Sequence, residues 1–470
     1  MDVGLLITER QENGQTISCE HAGVEMYVEE DSSLDARPLQ GRLAEFAAKV
    51  FLPAGYPASV SPDYLRYQIF NALQAFCSSL AGLLSSRALL EGFGVGNADA
   101  SATHALLLTV LQDFFSRVTT ICAAYVVGPS LSCEAKTYRL LADVANDAAI
   151  VLDTLTPLLN TCFPGLRIAA LCLSGTLRAL CGIAAGGSKA ALANHFATPI
   201  SGTGDIGDLN AKDSSKETVL ALLGMLAGSL IVPYLTTPFA TYSVLFWLVA
   251  LHLGLNYLGI RGVVLRSLNR QRMSIAWDMY RESGGRKIPT PTQVADIERV
   301  FESPGLLREL RTNSIAGRCS IGSSLNQVLR GGLVHWGIFD QMKDEKYVLW
   351  LDRRSMHGNQ VRTAGRVHLH ICFKEGFAAV DQLKAWAHAV EVGRMVVIQR
   401  RASFPPPAPA ELVLAAYRRA EPVFAEFLKG LDDAGWNTAE PALLPGSPRA
   451  LILSIEPTEL EQEVEEKKKV

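Results

Sequence analysis

The sequence contains no Asp, Glu, Lys or Arg from Thr218 to Ile260. A hydrocarbon core about 30 Å thick needs about 20 apolar residues per helix, so this uncharged stretch is long enough for two crossings. Pro233 and Pro238 lie near its middle, where proline favours a break between helices. The absence of charge therefore predicts two membrane-spanning helices, residues 218–235 and 239–260.

Other common signatures are also missing. The nine cysteines are scattered with no CxxC pair, which argues against a zinc site or a disulfide framework. The sequence has no nucleophile elbow, phosphate-binding loop or metal-ligand spacing. Its net charge of −3 provides no positive electrostatic potential that would attract nucleic acid. We therefore expect no enzyme, no cofactor, no metal and no nucleic-acid partner.

A glycine-rich segment, Gly202 to Gly207, reads GxGxxG. That motif binds dinucleotides only where a strand enters it and a helix leaves it. The preceding residues do not have the pattern of a buried strand, so we discount dinucleotide binding. Further along, Ser214 and Glu217 have the spacing of a capping box, which predicts that the next helix begins there.

The distribution of charge divides the chain into four segments. Residues 1–50 are polar, acidic and irregular, without the apolar core of a secretory signal. Residues 51–273 are poor in charge and form a membrane-embedded helical core. Residues 274–455 have the composition of a soluble α+β region. Residues 456–470 form a charged tail that is predicted to be disordered.

The expected fold class is mainly α, a polytopic transmembrane bundle of about four to six spans followed by a small cytosolic α+β domain. The further spans are predicted at 69–90, 105–127, 138–159 and 168–185. In the C-terminal region we predict helices 294–310, 377–390 and 412–431 and strands 347–352, 367–373 and 451–455. By the positive-inside rule, the arginines after Ile260 predict that this end faces the cytosol or the equivalent compartment of an organelle. The predicted spans indicate an integral multi-pass protein whose first partner is the lipid bilayer.

Small residues recur every four positions in three predicted spans, which lets another helix approach closely in a membrane. The three sets are Ser78 with Gly82 and Ser86, Gly182 with Gly186, and Gly224 with Gly228. They predict close packing of helices, and not a ligand site.

Ionisable residues inside the predicted spans form the candidate ligand site. Such charges cost about 2.5–3.5 kcal/mol each at the bilayer centre unless they pair or face a cavity. Four polar residues of span 138–159 share about a third of the helix circumference, and Arg178 is a natural partner for one of their carboxylates. The candidate ligand-binding residues are Asp113, Arg117, Asp143, Asn146, Asp147 and Arg178, with Asp153 on the same stripe.

These residues leave two interpretations open. Asp113 and Arg117 lie four residues apart and can simply neutralise each other, and the acids of span 138–159 can face water at the edge of the bundle. Alternatively, the same groups line an interior path for an ion, a proton or an amine-bearing ligand.

Five stretches together resemble the root UVB sensitive family in their order and spacing. They are 51–56 with 64–68, 73–75, 142–147, 190–196 with 208–219, and 268–272. The resemblance covers residues 51–273 well and the C-terminal region loosely, and Asn71 departs from it because the family pattern has Asp there. It implies a membrane protein and, for plant members, links to the UV-B response, vitamin B6 homeostasis and auxin transport. It supplies no catalytic residue.

Two functions follow as hypotheses. The first is a membrane bundle that binds or moves a small polar metabolite through its polar interior, with vitamin B6 compounds as candidate ligands through the resemblance alone. The second is a membrane-anchored scaffold that assembles with a family homologue and recruits partners through its C-terminal domain.

Overall fold

The structure is a computed structural model that describes residues 5–10, 16–22, 25–29, 46–93, 95, 101–162, 164–199, 204–329, 336–352, 356–357, 360–361, 366–402 and 408–454. The predicted tail 456–470 and the first two residues of the glycine motif, Gly202 and Thr203, lie outside these ranges. So does Ile455, the last residue of a predicted strand.

The N-terminal segment contains an antiparallel three-stranded sheet. Its strands are β1 (Leu5–Arg10), β2 (Thr16–Ala22) and β3 (Glu25–Glu29), with β2 in the middle. The prediction of an irregular segment was therefore wrong for these residues. Ile17 and Cys19 alternate with polar residues in β2, which is the period of a strand, but the run is too short to stand out among the surrounding charges.

Six long helices follow in the described part of the chain, and each predicted span lies within one of them or ends a few residues past it. They are α1 (Tyr64–Gly92), α2 (Ala102–Val127), α3 (Ala135–Cys162), α4 (Pro164–Phe196), α5 (Ile206–Ile231) and α6 (Pro238–Arg261). Short 3₁₀ turns, Gly128–Ser130 and Val232–Tyr234, follow α2 and α5. The fold of this region is thus mainly helical, as predicted.

The helices run alternately up and down, and contacts at both ends fix this order. At one end the Asp63 carboxylate accepts from the Val264 backbone N–H at 2.7 Å and lies 3.1 Å from His195 Nε2, which joins the start of α1 to the ends of α4 and α6. At the other end Arg87 of α1 donates to the carbonyls of Val232 and Leu235, between α5 and α6. The first end also carries the C-terminal region.

Two predicted helix boundaries were wrong. Helix α4 continues through Gly186 and Gly187 to Phe196 without a break. Helix α5 begins at Ile206, where the Asp205 side chain caps the free backbone N–H groups. Ser214 is therefore inside the helix and does not cap it, because the helix already begins at the Asp205 cap, nine residues earlier.

The small-residue prediction holds at one of the three sets. A Cβ on Gly224 would lie 2.7 Å from the carbonyl oxygen of Phe76, and one on Gly228 would lie 2.5 Å from Leu83 Cδ1, so α5 approaches α1 closely there. Around Gly82, Gly182 and Gly186 no described atom lies within 4 Å of such a Cβ. Among the three predicted sets, close packing through glycine is therefore found only at the α1–α5 contact.

We expect Gly224→Ala to destabilise the bundle by about 1–3 kcal/mol, because the added methyl group overlaps backbone that cannot move aside easily. Gly182→Ala is the matched control, since it adds the same methyl group to open space and removes a glycine from a helix, which is worth up to about 1 kcal/mol in the opposite direction. Unfolding in mild detergent measures both. Equal stability of the two variants would contradict the close approach of α5 to α1.

The outside of the bundle is apolar. Among the described helices, α1, α2, α4, α5 and α6 are long and apolar enough to cross a membrane. Large apolar side chains are exposed along α2, α5 and α6, including Val110, Phe114, Ile121, Leu222, Leu226, Leu230, Phe246 and Trp247. Soluble monomers rarely expose so many large apolar side chains next to one another.

The C-terminal region is an α+β unit around a five-stranded mixed sheet. Strand β10 (Val367–Lys374) pairs in parallel with β6 (Ile315–Ile321) and antiparallel with β7 (Tyr347–Leu351). Strands β5 (Leu306–Arg308) and β12 (Leu451–Ile452) pair with β6 and with the end of β10. The remaining described strands are β4 (Ser267–Asn269), which pairs with β11 (Asn437–Ala442), and the short pair β8 (Met356–His357) and β9 (Gln360–Val361).

Helices cover this sheet and share its core. They are α7 (Arg270–Glu282), α8 (Pro291–Ile297), α9 (Leu325–Leu329), α10 (Trp336–Gln341), α11 (Ala379–Ala402) and α12 (Pro409–Asp433). The predicted helix 294–310 was wrong beyond Ile297, because the chain turns there and returns as strand β5. The core begins at Leu268, so α7 packs as a whole with the C-terminal region.

A cluster of buried charges joins the two regions. The Glu298 carboxylate lies 2.6 Å from Lys136 Nζ of α3 and 2.9 Å from Arg272 NH1 of α7. Beside it, Glu134 contacts Arg270 at 3.1 Å. These contacts bind the first turn of α3 to the start of the C-terminal region. Arg270 and Arg272 therefore have internal partners, although they belong to the arginine-rich stretch after Ile260 that predicts a flank facing the cytosol or an equivalent compartment.

Candidate functional site: a polar cavity in the helix bundle

A polar cavity of about 510 Å³ lies among α1, α3, α4, α5 and α6. Its walls carry charges of both signs and several amides and hydroxyls. The polar lining residues are Asn71, Gln74, Ser78, Ser79, Arg139, Asp143, Asn146, Lys189, Glu217, Thr218 and His252. The volume is within the range of small-molecule sites, although so polar a lining is unusual for them.

Arg139 and Asp143 form the centre of one wall. They lie one turn apart on α3, which brings Arg139 NH1 to 2.9 Å from Asp143 Oδ1. The Asp143 carboxylate also accepts from the side-chain amides of Gln74 and Asn256, on α1 and α6. This carboxylate therefore links three helices, and its charge is balanced by Arg139.

The opposite wall is closed by an ion pair between α4 and α5. Lys189 Nζ lies 2.9 Å from both oxygens of Glu217. The Asn71 amide donates to Glu217 at 2.7 Å and accepts from Arg139 NH2 at 3.2 Å. An ionised aspartate at position 71 could only accept, so asparagine connects the two charged walls in a way that aspartate could not.

Asp147 and His252 form a buried pair at the deep end. His252 Nδ1 lies 2.7 Å from Asp147 Oδ2, with both side chains almost fully buried. The His252 ring reaches the cavity wall. The other carboxylate oxygen of Asp147 is buried and has no hydrogen-bond donor among the described residues.

Further polar groups continue from the cavity in both directions along the bundle. Together with the cavity lining they form a polar stripe. Toward the C-terminal region, Asp213 accepts from Tyr64 at 2.7 Å and pairs with Lys216 at 2.9 Å. Toward the far end, Asp153 is held by Arg178 and Ser174 and lies 3.4 Å from Ser85 Oγ. Between Tyr64 and Ser85, α1 rises by roughly 30 Å at 1.5 Å per residue. The stripe is therefore about as long as a hydrocarbon core is thick.

Sequence comparison identifies the family of this bundle. Residues 38–284, more than half of the chain, match the vitamin B6 photo-protection and homoeostasis domain. The chain belongs to the root UVB sensitive family.

Several members of the root UVB sensitive family are similar to the chain over different lengths. It is 32% identical over 276 residues to RUS family member 1 of Dictyostelium discoideum, which covers 58% of the chain and 50% of that relative. It is 29% identical over 395 residues to Protein root UVB sensitive 3 of Arabidopsis thaliana, covering 83% and 82%. Protein root UVB sensitive 2, chloroplastic, from the same plant is 25% identical over 406 residues, covering 86% and 84%. The chain spans only about half of the first relative, and no solved structure matches it.

The structure brings only some of the predicted site residues to the cavity of this root UVB sensitive family member. Asp143 and Asn146 line it, and Asp147 lies behind His252. Arg178 pairs with Asp153, which confirms that it is a partner for one of the carboxylates, but this pair lies at the far end of the stripe.

Asp113 and Arg117 lie elsewhere. They pair at 3.7 Å on the outer face of α2, with side chains 66% and 81% exposed. Their predicted place in a polar interior shared with Asp143 was wrong, because α2 packs mainly on α4 and turns this pair away from the other helices.

Sequence reasoning missed most of the cavity wall. Arg139 follows the i, i+4 rule with Asp143, a signal that was available. His252 was the one histidine of the uncharged stretch. Lys189 and Glu217 stand at segment boundaries in the sequence, where a charge is ordinary, so only the fold shows that they meet.

Proposed function

We propose that the chain is an integral membrane protein that binds or moves a small polar metabolite in the cavity between Arg139, Asp143, Lys189, Glu217 and His252. The observation that carries the proposal is this open cavity, lined by charges of both signs and formed between helices of a bundle whose outside is apolar. Intramembrane charges that face a cavity are a recognised sign of a ligand or ion path.

Helix α3 supports the same proposal. It is not apolar enough for a span by composition, yet it is as long as its neighbours and turns Asp143, Asp147 and Asp153 inward, where they are buried. We take it as a sixth crossing shielded by the other helices. An even number of crossings then leaves the start of α1 and the C-terminal region on one side of the membrane.

The family supplies the first ligands to test. Its domain is described by vitamin B6 photo-protection and homoeostasis, and vitamin B6 compounds are small, polar and carry ionisable groups of both signs. A wall with Arg139 and Lys189 suits a phosphate or phenolate group, while Asp143 and Glu217 suit a cationic ring nitrogen. No chemical conversion of the ligand is part of the proposal.

The test is uptake of labelled pyridoxine and pyridoxal 5′-phosphate by vesicles containing the purified full chain, after alkaline extraction has shown that the chain stays in membranes. We expect Asp143→Asn to lose at least about 90% of wild-type uptake, because it leaves Arg139 without its counter-charge in the wall.

Asp113→Asn is the matched control for this experiment. Like Asp143, Asp113 pairs with an arginine one helical turn away, but it lies outside the cavity. Loss of its charge should therefore leave uptake unchanged. Equal uptake by Asp143→Asn and wild type would show that the cavity is not the site through which the ligand moves.

One observation favours the scaffold as a second candidate. The Asp113–Arg117 pair is exposed in the middle of an apolar helix, and lipid is a costly neighbour for it at about 2.5–3.5 kcal/mol per charge. A family homologue, or a second copy, packed on α2 would cover the pair. The mass of the detergent-solubilised protein, compared between wild type and Asp113→Arg, distinguishes a monomer from such an assembly.

A further inference from the structure

We infer that movement of the ligand is coupled to protons, and that the Asp147–His252 pair is the group that carries the proton. This inference rests on the proposed function, because it concerns the same cavity. Three features of the bundle lead to it: the choice of partner for each carboxylate, the position of His252, and the unsatisfied oxygen of Asp147.

The carboxylates of the stripe have different kinds of partners. Asp143 pairs with Arg139, Asp153 with Arg178, Asp213 with Lys216 and Glu217 with Lys189. Asp147 is the exception, since no Lys or Arg contacts it in the described part of the chain and its basic partner is His252. Arginine and lysine keep their charge at neutral pH, whereas histidine gains and loses it there.

The pair lies where a change in its charge would act on a bound ligand. The side chains of His252 and Asp147 are 3% and 4% exposed, and the His252 ring forms part of the cavity wall. Among the described residues, no donor is in hydrogen-bonding geometry with the buried Asp147 Oδ1, so this oxygen can accept a proton or a hydrogen bond from a rearranged side chain.

Few other groups close to the pair can titrate instead. The ionisable neighbours are Cys77 on α1, Asp143 and Arg139 on α3, and Cys181 and Arg178 on α4, with the Lys189–Glu217 pair across the cavity. The acids among these have a fixed cationic partner. Both cysteines are thiols, and a thiol of ordinary pKa is mostly protonated at neutral pH.

The proton balance of the cycle is simple. One proton enters from the compartment that supplies the ligand and binds the pair, which then has no net charge. The same proton leaves to the opposite compartment after the ligand, and the pair returns to a net charge of −1. No oxidant, reductant or second substrate takes part, because only N–H or O–H bonds form and break.

Accumulation against a concentration gradient tests the coupling. Vesicles with the full chain are loaded at a pH one unit above the outside, and labelled pyridoxine and an internal pH-sensitive dye are followed together. One proton per ligand predicts accumulation of pyridoxine up to about tenfold, since each pH unit is worth about 1.4 kcal/mol, with acidification inside that depends on pyridoxine. Protein-free vesicles correct for passive trapping.

The variants separate coupling from transport. We expect His252→Asn and Asp147→Asn to let pyridoxine equilibrate to equal concentrations without acidification. His195→Asn is the control, because His195 is also paired with a buried aspartate, Asp63, but lies at the end of the bundle; it should still accumulate pyridoxine.

Each outcome of this experiment decides something. Accumulation that is lost in both variants of the pair supports proton coupling. Wild-type uptake that never exceeds the outside concentration overturns the coupling and leaves the proposed function standing. Absence of any wild-type uptake, of pyridoxine and of pyridoxal 5′-phosphate, counts against the proposed function and takes the coupling with it.

Discussion

Arg139→Met is expected to lower the free energy of unfolding by about 3–5 kcal/mol, because it leaves the Asp143 carboxylate buried without its counter-charge. Gln74 and Asn256 still donate to that carboxylate, but amides do not neutralise it. The same change removes a contact to Asn71, which links the two charged walls. Unfolding in mild detergent measures the loss of stability, and vesicle uptake measures the loss of ligand movement.

A double variant separates these two effects. Arg139→Met with Asp143→Asn removes both charges and keeps an oxygen that can accept from Gln74 and Asn256. Stability should then recover by most of the amount lost, since a buried ion pair replaced by neutral groups is often tolerated, while uptake stays lost. Arg419→Met, on the exposed face of α12, is expected to change stability by no more than about 0.5 kcal/mol. If Arg139→Met were as stable as Arg419→Met, the pair would not be buried as described.

The helices of the bundle were predictable because their signal is strong and local. Hydropathy over about 20 residues identifies a span without knowledge of its neighbours, and α6 differs from its predicted range by one residue at each end. The N-terminal extension of α5 to Ile206 was not predictable in this way, because its first turns carry the charged residues Asp208, Lys212 and Asp213. Each of these has a partner on another segment, and Asp213 also pairs with Lys216 of α5.

Most of the candidate site was unpredictable for the same reason. Asp143 and Asn146 could be grouped because they share one face of one helix. Lys189, Glu217 and His252 come from three different helices, and no spacing along the chain relates them. The charged pair on α2 shows the opposite error, since a favourable local spacing gives no information on which way the helix faces.

The first turn of α3 connects this site to the C-terminal region. Lys136 contacts Glu298, and Thr137 donates to the carbonyl of Val300 at 2.6 Å. Arg139 follows in the next turn. These contacts therefore tie the segment that carries Glu298 to the helix that supplies Arg139 and Asp143.

Glu298→Gln is expected to cost about 3–5 kcal/mol, because it leaves two buried cations, Lys136 and Arg272, without their shared counter-charge. Lys136→Met should cost much less, since Glu298 and Arg272 then remain as a balanced pair. The prediction is that Glu298→Gln loses more stability than Lys136→Met. Chemical unfolding of the full chain measures it, with Glu426→Gln on the exposed face of α12 as the control.

The pH dependence of the difference between wild type and Glu298→Gln gives a second readout. Burial alone would raise the pKa of Glu298, but the attraction of Arg272 and Lys136 outweighs it, so the pKa lies below the ordinary 4.5. A lowered pKa gives stability that is present above the unfolded value and is lost as the pH falls through the folded one. The free energy of unfolding of wild type should therefore exceed that of Glu298→Gln by a constant amount near neutral pH, and this difference should shrink below about pH 4.5. An advantage that persists unchanged into acid would mean that the charge of Glu298 does not hold α3 to the C-terminal region.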